Sequence, residues 1–155
     1  CDLAEQRCMK VEFAYLATPF CAWLCAGGIK FAINTVRARR LAFDLIGYGG
    51  MPSNHSAIVA SMVALVALRE GISGPSFGVA ITLAFIVLLD ANSLRRQVGL
   101  HAQAINEVRA AGPLLRERMG HSRLEILVGL VVGGTTAWLV DWAEVWLNVL
   151  LGAYT

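Results

Sequence analysis

Gly49-Gly50-Met51-Pro52-Ser53-Asn54-His55-Ser56-Ala57 is a glycine-rich bend that runs straight into an apolar helix. Ser53 has the chemistry of an N-cap, whose side-chain oxygen takes one of the N–H groups the first turn leaves open. The remaining N–H groups and the positive end of the helix dipole favour an anion at that point. His55, in the same turn, can exchange a proton with such an anion near neutral pH. Beyond it, Ile58 to Leu68 is apolar apart from Ser61, so the helix opened by this bend suits a nonpolar surrounding.

The rest of the chain shares that character. Of 155 residues, 57% are hydrophobic and only 15% charged, against about 25% charged in ordinary soluble domains. The expected fold is an all-α, polytopic transmembrane bundle, a single membrane domain over residues 1–155. It has four to five apolar helices and a polar, amphipathic connection. The first helix is expected from about Val11 to Ile33, the second from Ser53 to Leu68, the third from Pro75 to Leu89 and the last from Leu124 to Leu151. Between the third and the last lies a polar segment, Asp90 to Arg123, with a helix near Val98 to Ala111 and a break at Gly112-Pro113. The outer two reach the ~20 residues of a membrane span. The second and third, at roughly 15 residues or ~23 Å, need polar ends or a locally thinned bilayer. No helix carries the wide polar face of a soluble bundle.

Cys21 and Cys25 read as small apolar residues of the first helix, no disulfide framework is expected, and Cys1 and Cys8 stand too near the start of the chain to interpret. No cleavable signal peptide is read. Trp138, Trp142 and Trp146 recur every four residues, the pattern of an interfacial anchor. Gly129-x3-Gly133 permits close helix approach; a homo-oligomer is left open.

If the spans alternate, one side of the membrane holds Lys30, Arg37, Arg39, Arg40, Arg95, Arg96, Arg109, Arg116, Arg118 and Arg123. The other holds only Arg7, Lys10 and Arg69. The positive-inside rule places the basic side, with the bend and His55, in the cytoplasm.

The chemistry-bearing residues fall at helix ends on that basic side. Lys30 closes the first span, Ser53 and His55 open the second, Asp90, Arg95 and Arg96 follow the third, and His121 and Glu125 open the last. Charges at membrane depth are costly and tend to face one another or a wet cavity. Lys30, Arg95 and Arg96 border the apolar spans and suit a phosphate, which arginine grips bidentately. The more distant arginines read as topology determinants. Ser122-x2-Glu125 has the form of a capping box. His121 and Glu125 are four apart, so the carboxylate can also orient the ring and leave its other nitrogen nucleophilic. Asp90 is either an ion-pair partner of Arg95 or Lys30, or the group that orients an arginine or histidine. His101 reads as a surface histidine. No pair of histidines or acids has a metal-ligand spacing, and no cofactor or nucleic-acid partner is expected.

These motifs carry a family resemblance. Gly49 to Ala57 resembles the GGMPSSHSA signature of the divergent PAP2 family, which is related to acid phosphatases and vanadium-dependent haloperoxidases. Asp90-Ala91-Asn92-Ser93-Leu94-Arg95-Arg96-Gln97-Val98-Gly99 is similar to its DA-x-GVRR-x-x-G, and Leu115 to Glu125 to its LKE-x-LGH-x-x-x-E. Lys30 matches the lysine closing that family's first span, and Ala104-Ile105-Asn106 its LN-type segment. The wider PAP2 pattern is matched more loosely. Asn54 stands for the glycine of PSGH, Ala38 for a proline, and Ile105 for the acid four residues after His101.

The resemblance implies a membrane-embedded, metal-independent phosphomonoesterase acting on a lipid or isoprenoid phosphate. In that scheme Lys30, Ser53 with its helix start, Arg95 and Arg96 hold the phosphate. His121, oriented by Glu125, attacks phosphorus to give a phosphohistidine, His55 serves as acid and then base, and Asp90 orients the site. The competing reading is a non-catalytic lipid-phosphate binder or small transport protein using the same basic pocket.

Overall fold

The computed structural model describes residues 13–41, 50–109, 112–117 and 119–151. Cys1, Cys8, Arg7, Lys10, Gly49 and Arg118 lie outside the described residues, as does the expected start of the first helix. The fold is all-helical: α1 (Ala14–Ala38), α2 (Asn54–Glu70), α3 (Pro75–Leu89), α4 (Arg95–Val108) and α5 (Arg123–Leu150), with a π turn at Asp90–Leu94 between α3 and α4.

Two expectations need correction. The first helix continues past Ile33 to Ala38, so Lys30 lies about 12 Å inside its C-terminal end rather than closing it. The helix expected at Val98 to Ala111 is present as α4, but it begins at Arg95 and continues α3 without a break. Helical dihedrals run through the π turn, so Pro75–Val108 is one 34-residue rod. Asp90 to Leu94 holds no proline or glycine to stop the helix, and the chain absorbs the extra residue as i→i+5 bonding.

Among the described residues three helices, Ala14–Ala38, Pro75–Val108 and Arg123–Leu150, are long and apolar enough to cross a membrane. The 17-residue α2 packs against α1, α3 and α5. The interior is mostly small residues around Leu65: Ala22, Ala26, Ser56, Ala57, Ser61 and Ala137 are buried, while Phe20, Leu24, Phe85 and Val131 point outward. This reverses the soluble pattern. Lipid supplies the apolar surrounding, and close backbone approach holds the helices together.

That approach is closest between α2 and α5. A Cβ on Gly129 would meet the Ser53 carbonyl at 2.6 Å, and one on Gly133 would run into the Ala57 carbonyl. Gly129-x3-Gly133 is therefore the seat of α2 within the chain. At the opposite end, Arg69 of α2 bonds Asp141 and Glu144 of α5, both at 2.6 Å. The other Glu144 oxygen accepts the Phe13 and Ala14 N–H groups at the start of α1, each at 2.7 Å. One buried carboxylate thus ties three helices and caps one of them.

Candidate functional site

The site lies at the end where α2 and α5 begin and α3 gives way to α4. Ser53 is the N-cap of α2: its hydroxyl accepts from the Ser56 N–H at 3.3 Å and the Ser56 hydroxyl at 2.9 Å. It is fully buried, and these bonds commit the side chain to the helix start. The Ser53 N–H donates to the Glu125 carbonyl at 3.0 Å, so the two helix starts are joined. At α5 the capping box is complete, with Ser122 Oγ accepting from the Glu125 N–H and Glu125 Oε2 from the Ser122 N–H.

Glu125 Oε2 also meets His121 Nδ1 at 3.1 Å. A carboxylate only accepts, so Nδ1 carries the proton and Nε2 keeps a free lone pair. The His121 side chain is 6% exposed. Its pKa lies below the ordinary 6.5, chiefly because burial disfavours the cation; the Glu125 bond opposes this, and the charges of Lys30 and Arg95 add to the lowering. The ring centroids of His121 and His55 are 6.2 Å apart.

Arg95 bridges the site. Its Nε donates to Asp90 Oδ2 at 3.3 Å, and its Nη2 lies 3.0 Å from His55 Nε2. Residues five apart on an α-helix sit about 140° apart around the axis. The π turn closes that gap and gives the Asp90-x4-Arg95 pair one face. The same turn opens the Ala91 carbonyl, which accepts the His121 N–H at 3.2 Å. Lys30, from α1, is within electrostatic reach of Glu125, His55 and His121.

The structure thus brings His55, His121, Glu125, Asp90, Arg95 and Lys30 together around the Ser53 helix start. It does not bring in Arg96, whose side chain is exposed and whose backbone lies against Gly120. His101 is exposed on α4. Among the described residues no three His, Cys, Asp or Glu side chains form a group that could hold a metal ion.

Sequence reasoning missed the strap that sets His121. Asn106 on α4 accepts the Leu115 N–H, donates to the Leu115 carbonyl, and donates to Glu117, all at 2.8 Å. Gly99 is where the Glu117 carbonyl comes against the helix, too close for a Cβ. Gly120 turns the strap at φ 91°. The signal was present in the motifs: Gly99, Asn106 and Gly120 all fall within the matched segments.

Helices of membrane-spanning length define an integral membrane protein, and its paired histidines and cations gather at one end of the bundle. The Divergent PAP2 family matches residues 11–136, and the chain belongs to it. It is 30% identical over 138 residues, covering 76% of this chain and 87% of the relative, to the uncharacterized membrane protein YuiD of Bacillus subtilis (strain 168). No solved structure matches.

Proposed function

We propose that the protein is a metal-independent phosphomonoesterase that dephosphorylates a lipid or isoprenoid phosphate at the cytoplasmic face through a phosphohistidine. The observation that carries this reading is the His121–Glu125 pair: a ring whose Nδ1 is held by a carboxylate has its Nε2 lone pair free for attack. Lys30, Arg95 and the N–H groups opening α2 then offset the charge on the phosphoryl oxygens. His121 Nε2 attacks phosphorus and the bond to the alcohol oxygen breaks. That oxygen takes a proton from His55, which next removes one from the water that hydrolyses the phosphohistidine. A long apolar tail suits the substrate, since the helices that carry the site present apolar outer faces.

The test is release of inorganic phosphate by purified protein from phosphatidic acid, phosphatidylglycerol phosphate and polyprenyl phosphates, with His55→Ala as control. Turnover that needs His55 and survives EDTA supports the reading. Activity lost with EDTA and restored by a divalent ion would reject the metal-free mechanism. Binding without release would make the protein a lipid-phosphate binder.

A further inference from the structure

The hydrogen bonds around His55 put its proton on the nitrogen that is shut inside the fold. A guanidinium has donors and no acceptor, so the 3.0 Å contact from Arg95 Nη2 makes His55 Nε2 an acceptor. The proton is therefore on Nδ1, which is buried and has no hydrogen-bond partner among the described residues. The groups facing His55 are Arg95 and, through it, Asp90 at the π turn, Lys30 on α1, and His121 ahead of α5. Three of these are cations or a neutral ring, and the Asp90 carboxylate is engaged by Arg95. With Arg95 on Nε2, a second proton on that ring has neither a lone pair to occupy nor a favourable field.

A tetrahedral dianion changes both conditions. Its oxygens are better acceptors for a guanidinium than an imidazole nitrogen is, and its charge offsets the Lys30 and Arg95 cations. We propose that Arg95 is the positioning residue for the His55 proton: a bound oxyanion draws its Nη2 off His55 Nε2, and that nitrogen then takes up a proton from solvent. The imidazolium so formed holds the proton that the leaving alcohol receives. Asp90, bonded to the same guanidinium through Nε, keeps Arg95 within reach of both positions. The inference rests on the phosphate-site reading above and adds to it a coupling between anion binding and the acid.

The experiment uses the full-length protein in detergent with sulfate, a dianion that does not itself titrate near neutral pH. Proton uptake on binding is measured by calorimetry in two buffers of different ionisation enthalpy. The expected uptake rises toward about one proton per sulfate, since the His55 ring has a single open nitrogen, and falls to near zero in His55→Gln. Histidine 15N spectra of the same samples should show His55 with a bare Nε2 in the free protein and both nitrogens protonated with sulfate. Sulfate binding without uptake, uptake retained in His55→Gln, or a His55 Nε2 that stays bare overturns the coupling and leaves the phosphate site standing. No sulfate binding at all removes the site and the coupling with it.

Discussion

At the residue scale, Glu125 has two separable duties. It completes the capping box with Ser122 and it holds His121 Nδ1. Glutamine can still cap, but it brings no negative charge to the ring. Glu125→Gln should therefore leave the melting temperature nearly unchanged and lower kcat by about 10²-fold, within the range of positioned proton and nucleophile assistance. It also removes an influence that raises the His121 pKa, so the acid limb of kcat/KM should move to lower pH. In the wild type that limb should fall below 6.5, because on the proposed mechanism His121 attacks as the neutral ring and burial lowers its pKa. A limb above 6.5, or one that rises in pH in Glu125→Gln, contradicts the assignment. His121→Ala should abolish the acid-labile phosphoenzyme, and His101→Ala, on the exposed side of α4, should retain most of it. The reverse result would make His101 the nucleophile.

At the element scale, the glycines of α5 separate close packing from mere helix flexibility. Gly133→Ala drives a methyl group into the Ala57 carbonyl and must part α2 from α5. The expected loss is about 1–3 kcal/mol, the usual cost of overpacking, with activity reduced because Ser53 and Glu125 are joined across the same seam. Gly134 has open space around its Cβ position. Gly134→Ala should be neutral or stabilising by up to ~1 kcal/mol, the helix propensity difference. Unfolding of the two variants in detergent, followed side by side, tests the pair. The strap gives a second contrast: Asn106→Ala frees Leu115 and Glu117 from α4, so kcat should fall while helical content is unchanged in circular dichroism.

At the scale of the whole molecule, the bundle is fastened at two ends by different means. The site end is joined by the backbone bonds of Ser53 to Glu125 and of His121 to Ala91, and the far end by Arg69, Asp141 and Glu144. Arg69→Met strands two acids that are 27% and 5% exposed. It should cost roughly 3 kcal/mol, as removal of one partner of a buried ion pair does. Thermal unfolding should show this loss while the KM of the surviving folded protein changes little, because the ion cluster belongs to the opposite end of α2. The orientation in the membrane is tested with Arg109→Cys in a cysteine-free background. Impermeant reagents should label it only after the cells are opened; labelling from outside intact cells would overturn the cytoplasmic assignment of the site.

Local pattern alone determined the helical, membrane-spanning character of this chain, the N-cap at Ser53, the capping box at Ser122 and the pairing of His121 with Glu125. Each is encoded over a few neighbouring residues: an apolar run, a cap residue, an i,i+4 pair. Only the tertiary structure decided what those groups touch. Arg95 on His55 joins residues 40 apart in the chain, Arg69 on Asp141 residues 72 apart, and Glu144 on Phe13 residues 131 apart. The role of Asp141 and Glu144 as a three-helix clamp depends on how α1, α2 and α5 lie together. Likewise Gly129 and Gly133 announce close approach but not its partner. That partner is α2, because Ser53 and Ala57 present backbone carbonyls at the same four-residue interval, and the match exists only once the two helices are side by side.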